Sequence, residues 1–395
     1  MHFFWAFLSG GIASAAVLPR VDGAACKLTL TDSGGGYLHE GFGKSENCAP
    51  SRGLLNTFMF FVDFSDTAAT GIANDSLTSL RDFFAPSADW YTTASYGRLN
   101  LSITSDTSRF YRMSTTAAAY NFQRNLTGEL HSRYIQDAVN AYLSGGGKTP
   151  STPWDIIYIV PTRNAQPITL SPTSRIPVRT SRVNGAPLFS RFGAITIGMD
   201  AYRVWGSKVI NHETGHSMCL PDLYPEGGAV GQFVGGWDMM GYILGTGPDY
   251  FAWHKWKLGW IEDGQVDCVS GPGSTTHTLS PVEQAQGGTK AVVYKRNSTT
   301  ALVAEVRAKL GVDTNACSTG IVLYAVQVTT ARRFVSGPIR VVDTTPRSGG
   351  CGGEELNDAT LNLQKAKSIV VPGWNVTVTV TGQTGDMYTI KMDVS

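Results

Sequence analysis

Apolar and polar positions fall into two regimes that meet near residue 264. Before it, apolar runs alternate with stretches of helical period. LLNTFMFFVDF (54–64) is too uniformly apolar for a half-exposed strand and reads as a buried one, closed by turn residues Ser65 and Asp66. SLTSLRDFFAPSADWYTTASYG then carries a helical pattern, a turn and a second helix, and Arg98–Ile103 returns to period two. In residues 132–143, Tyr134, Ile135, Ala138, Val139 and Tyr142 share one face at 3.6 spacing, and SGGGKTPSTP ends the helix. WDIIYIVPT (154–162) reads as another buried strand. With a helix near residue 206, this order predicts a mixed sheet with helices packed on it.

Past GWIEDG (259–264) helical period almost vanishes, and short β-type runs such as ALVAEVRAKL, GIVLYAVQV and DMYTIKMDV take over. The fold class expected is α+β: a mixed-sheet domain over 54–264, then an all-β, sandwich-like region over 265–395. Two segments precede them. Residues 1–16 read as a secretory signal peptide, because HFFWAFLSGGIASAA is short, apolar and ends in small residues; a membrane-anchored start is the other reading. Residues 17–53 are Gly-rich and polar, a lead-in or short pro-segment.

Composition narrows the partners. The chain has 395 residues, with 32 Lys plus Arg against 31 Asp plus Glu, so a net charge of +1 supplies no bulk attraction to nucleic acid or an anionic membrane. Neither partner is expected, and a monomer is. Six cysteines with no CxxC pair point to disulfides in an oxidising compartment rather than a cysteine metal site; local pairing of Cys26 with Cys48 and of Cys268 with Cys317 is expected. Sequons at Asn74, Asn100, Asn125, Asn297 and Asn375 fit a secreted glycoprotein.

The sharpest chemical signal is HETGH at 212–216. On a helix, residues four apart share a face, so His212 and His216 can hold one zinc ion while Glu213 acts as general base toward a metal-activated water. A catalytic zinc needs a third protein ligand and an open position. Pro221 ends the helix, and Asp222 can fold back to the metal; Glu226 and Asp238 are the alternatives. Calcium is compatible with loops such as DLYPEGG, although no EF-hand pattern appears.

His212-Glu213-x-x-His216 with Asp222 has the spacing of the extended metzincin motif. HETGHSMCLPDLY with GGWDMMG at 235–241 resembles the immune inhibitor A-like secreted metallopeptidases. The resemblance extends through FFVDFSD (60–66), DWYTTASYGRLNLS (89–102), DYFAWHKWKLGWI (249–261), ALVAEVRAKLGVD (301–313) and STGIVLYAVQ (318–327), covering about residues 54–330. It implies a Met-turn at 238–240, with Met240 as the apolar floor under the zinc. It also puts Tyr242 where some metzincins have a metal-binding or oxyanion-stabilising Tyr, with plain packing as the alternative. Cys219 stands where metzincins usually have Gly, so a different turn is conceivable; a disulfide, a buried thiol and a metal ligand are the readings of that residue. The lead-in is shorter than the family's long inhibitory pro-segment, which leaves latency open; a lead-in carboxylate or thiol capping the zinc is one route.

GAITIGM (193–199) could be an edge strand that pairs with an extended peptide, or an internal strand. Tyr250, Trp253, His254 and Trp256 read mainly as packing of a helix that joins the two domains, with His254 as a proton donor the lesser option. The function expected is a secreted zinc-dependent endopeptidase acting on protein or peptide substrates. The alternative is an inactive secreted glycoprotein of the same fold that works by binding.

Overall fold

In a computed structural model the chain is described over residues 21–29, 38–43, 45–329 and 337–395; the expected signal peptide lies outside these. The molecule is mixed α and β, with few helices and several sheets. Val21–Asp22 (β1) comes first, followed by Gly53–Asp63 (β2), the helices Leu77–Phe84 (α1) and Pro86–Ala94 (α2), and Leu99–Arg112 (β3). Gly128–Ser144 (α3), Ile156–Pro161 (β4) and the short strands Thr173–Ser174 (β5), Val178–Arg179 (β6), Leu188–Ser190 (β7) and Ala194–Thr196 (β8) follow. Two helices, Lys208–Ser217 (α4) and Ala252–Lys257 (α5), complete this half.

The first sheet runs β3-β2-β4-β8-β5, parallel throughout except for β5, while β6 and β7 pair only with each other. Its apolar runs are buried on both faces, as their composition predicts. Along β2, Leu55, Met59 and Phe61 face the core that holds α1, α2 and α4, whereas Phe58, Phe60 and Val62 face α3. Of the two readings of 193–199, the internal strand is the one observed: β8 lies between β4 and β5 and is fully buried. Its length and apolarity suit that position, and the outer strand is β5.

From residue 266 the chain makes Val266–Val269 (β9), Gly273–Leu279 (β10), Ala291–Lys295 (β11), Thr300–Arg307 (β12), Gly320–Gln327 (β13) and Ile339–Val341 (β14). Ser368–Val371 (β15), Val376–Thr384 (β16) and Met387–Val394 (β17) end it. A six-stranded sheet, β1-β9-β11-β12-β13-β14, and a four-stranded one, β10-β17-β16-β15, pack face to face. The six-stranded sheet is also covered on its other side. Leu302, Ala304 and Val306 of β12 enter the sandwich core, while Ala301 and Val303 join the core of the first half.

Two charged residues continue that second face. Arg307, fully buried, meets Glu283, Glu305 and Asp313, and its Nη1 and Nη2 donate to the carbonyls of Trp237 and Gly247 at 2.6 and 3.0 Å. Glu305 accepts from the Ala252 amide at 2.7 Å and from the Tyr324 hydroxyl at 2.6 Å. The β region is therefore bonded to both ends of the segment that carries Met239 and Met240. An isolated charge in such a place is strongly unfavourable. Arg307→Ala, which would strand three buried carboxylates, is expected to cost about 3–5 kcal/mol in urea unfolding. A loss under about 1 kcal/mol, the range of exposed ion pairs, would show that water reaches them.

Candidate metal centre

Helix α4 is held to the first sheet by Val209 and Ile210 and by a hydrogen bond between the Thr214 and Tyr158 hydroxyls at 2.9 Å. Gly215 permits its closest approach. A Cβ there would stand 2.5 Å from Met240 Sδ and 2.6 Å from the Tyr250 hydroxyl, so the Gly of HETGH is what lets Met240 pack beneath the helix. Met240 is fully buried in that position.

Four predicted residues come together. Potential ligand atoms of His212, Glu213 and His216 all lie within 4.8 Å of one another, the one such group of three or more His, Cys, Asp or Glu among the described residues. Asp222 Oδ1 lies 3.2 Å from His212 Nε2 and 3.0 Å from His216 Nε2. Both imidazoles are oriented from behind: Nδ1 of His212 is 2.9 Å from the Met239 carbonyl and Nδ1 of His216 is 2.8 Å from the Leu220 carbonyl. A carbonyl oxygen can only accept, so each Nδ1 carries the proton, and in a neutral ring the Nε2 lone pair faces Asp222. Lone pairs converging on a carboxylate need a proton or a cation among them. Two ligands of a tetrahedral zinc at ordinary bond lengths stand about 3.3 Å apart, so the donor set fits a divalent ion.

Glu213 sits beside this group, its Oε2 accepting from the Thr173 hydroxyl of β5 at 2.7 Å. Burial pushes its carboxyl up to about 8, against the opposing pull of His212 and of that hydrogen bond. Burial also acts upward on Asp222, but His216 and His212 outweigh it and hold the carboxyl well below the usual range. Of the alternatives, Glu226 is exposed, and Asp238 is committed to the amides of Met240 and Phe251 and to His254. Tyr242 is half-buried, and among the described residues no hydrogen bond joins its hydroxyl to the four. Tyr224 instead stacks on His212, with ring centroids 6.0 Å apart. Thr173 and Tyr224 carry no local sequence signal that would have marked them.

Cys219 is disulfide-bonded to Cys48 and keeps the turn that Gly would make. Its φ of +70° is left-handed, and the amides of Cys219 and Leu220 donate to the carbonyls of His216 and Gly215 at 2.9 and 3.0 Å. That is a Schellman ending, which turns the chain back toward Asp222. The local pairings expected from sequence are wrong: the bonds are Cys26–Cys268, Cys48–Cys219 and Cys317–Cys351, because folding brings distant cysteines together regardless of spacing.

The lead-in is part of the body. β1 joins the six-stranded sheet, Phe42 packs edge-on against Trp253 and Trp256, and Glu40 is buried with its carboxylate 3.0 Å from His254 Nε2. His254 Nδ1 lies 2.8 Å from Asp238, whose other oxygen accepts from the Met240 amide at 2.8 Å. Lead-in, α5 and the Asp238–Met240 segment thus form one chain of buried contacts. His254 has no place in the metal group, and neither Glu40, Cys26 nor Cys48 caps it. Burial disfavours the His254 imidazolium, but Asp238 and then Glu40 prevail and push it up to about 10.

No protein-family model matches the chain, and no curated protein sequence matches it either.

Two tests follow from this geometry. In a Cys48→Ser background, Cys219→Gly is expected to be more stable than Cys219→Ala by about 1 kcal/mol in urea unfolding, since only Gly takes the left-handed turn without strain; equal stability would mean that the turn moves once the disulfide is gone. The His254 pKa is raised on folding, so its stabilisation is whole below the unfolded value of about 6.5 and is lost as pH rises through about 10. The gap between the wild type and Glu40→Gln in urea midpoint should therefore narrow from pH 6 to pH 10; a constant gap would deny the imidazolium.

Proposed function

We propose that the chain is a secreted zinc endopeptidase of metzincin type, similar to the immune inhibitor A-like metallopeptidases, which hydrolyses peptide bonds of extracellular proteins. The observation that carries this reading is the convergence of His212 Nε2, His216 Nε2 and Asp222 Oδ1 beside the carboxylate of Glu213. A general base next to such a ligand set has no use in a purely structural site. When bound, zinc there supplies Lewis acidity that activates water and polarises the scissile carbonyl.

The protein's own groups do the rest. Thr173 holds Glu213 Oε2, and Glu213 takes a proton from the attacking water and returns it to the departing amine. Met239 and Leu220 fix the two imidazoles through their carbonyls. An extended peptide adds to the outer edge of β5, beside Glu213, by main-chain hydrogen bonds. Three disulfides suit an oxidising compartment, and no helix among the described residues is long and apolar enough to cross a membrane. All five sequon asparagines are exposed, which suits N-glycosylation of a secreted chain.

Elemental analysis of the purified protein should find about one zinc per chain, and casein hydrolysis should vanish with a chelator. Glu213→Ala should retain the metal and lose about a thousand-fold in rate. A Glu213→Ala protein with undiminished hydrolysis would refute the mechanism, and a wild type with neither zinc nor hydrolysis would favour the binding reading.

A further inference from the structure

A cavity of about 370 Å³ opens beside the C-terminal end of α4. Its walls come from four places: the lead-in on both sides of Cys48, from His39 to Arg52; the chain following β5; the end of α4; and the end of α5. Three cationic residues, Arg52, Arg175 and Lys257, line it, and among the described residues no Asp or Glu does. The walls are fixed. The Cys48–Cys219 disulfide ties lead-in to helix end, and Lys257 Nζ donates to the carbonyls of His39 and Cys219, the latter at 3.4 Å. Arg175 Nη1 lies 3.1 Å from Cys219 Sγ. Arg52 is largely exposed, and its nearest carboxylate, Glu262 at 3.7 Å, is held more closely by Arg98.

The cavity adjoins the end of the strand that contacts the general base, Arg175 being the residue after β5. Thr173 of β5 reaches Glu213, and Arg175, two residues on, reaches Cys219 just past the end of α4. From Glu213 to Ser217, the last residue of α4, four residues of helix amount to about 6 Å, the length of about two residues of an extended peptide, and Cys219 follows in the turn beyond. A peptide paired with β5 across Glu213 would therefore bring a side chain, or its own C-terminus, two or three residues from the scissile bond to this cavity. Burial lowers Lys257 to about 8, with Glu40 pulling the other way, as expected of an ammonium whose bonded partners are carbonyls. An anion entering the cavity would restore its charged form.

We propose that this cavity is a substrate subsite that takes a carboxylate, either an Asp or Glu side chain or the free C-terminus of a peptide, and that it directs cleavage to within three residues of that group. The proposal rests on the endopeptidase reading and adds to it a preference.

The test uses the full-length protein and fluorogenic peptides in which one Glu, or one Gln, is moved through three positions on either side of the scissile bond, each with a free or an amidated C-terminus. At one position Glu should raise kcat/KM about ten-fold over Gln if a side chain is taken; a similar loss on amidation would identify the C-terminus instead. Arg52→Glu should bring the acidic-to-neutral ratio to unity or below and Arg52→Gln part of the way, while Lys391→Glu, far off on β17, should keep it. No acidic preference at any position, or a preference unchanged by Arg52→Glu, would overturn the subsite. If no peptide is cut, the endopeptidase reading fails by itself, and the cavity is judged by fluorescence anisotropy with the same labelled peptides. Tighter binding of acidic peptides, lost in Arg52→Glu, would sustain a carboxylate site; equal binding would overturn it.

Discussion

Arg307 carries a full positive charge into a place that water does not reach, and everything around it is arranged to make that tolerable. Three carboxylates answer its charge, and two main-chain carbonyls take what is left of its donor capacity. Because those carbonyls belong to Trp237 and Gly247, the solution to one electrostatic problem also fixes the loop under His212 and His216. Met239, inside that loop, orients His212, and Met240 fills the space that Gly215 leaves. The six-stranded sheet is thus a middle layer, buried on one side by its partner sheet and on the other by the first half of the molecule.

The same logic governs α4. A helix of ten residues cannot hold two imidazoles and a carboxylate in register by propensity alone. It is pinned from the sheet by Tyr158, from below by Met240 and Tyr250, and at its end by a left-handed turn bonded covalently to the lead-in. That turn sets the direction in which Pro221 and Asp222 leave. Any group seated among His212, His216 and Asp222 therefore rests on contacts drawn from segments more than 160 residues apart in sequence.

Much of this architecture was legible from periodicity, and the exceptions have physical causes. β2 and β4 are apolar on both faces because both faces are covered, and α3 shows its buried stripe plainly. His212, Glu213 and His216 were legible because helical spacing fixes their mutual geometry. β5 was not: two residues in a Ser- and Pro-rich stretch display no alternation, yet they supply the outer edge of the sheet and the hydroxyl that holds Glu213. The anchoring of the lead-in was not legible because the segment is Gly-rich and polar, while the anchoring depends on Glu40 and Phe42 meeting α5 more than 200 residues later. Glu305 and Arg307 alternate with apolar residues as a half-exposed strand would, although neither touches solvent. Spacing carries no information about which cysteines meet.

The disulfide connectivity also bears on how the chain must be made. Cys26 and Cys48 emerge early in synthesis and close together, but their partners lie 242 and 171 residues further on. In an oxidising compartment the quickest bond open to them is with each other, since the entropy of closing a loop grows with its length. That bond is non-native and would leave Cys219 and Cys268 unpaired, with the β1 strand unable to reach its place beside β9. Were it to form, thiol–disulfide exchange would have to break it before the native pairs could close. The arrangement staples the beginning of the chain to its middle, so neither bond can close until its distant partner has been made.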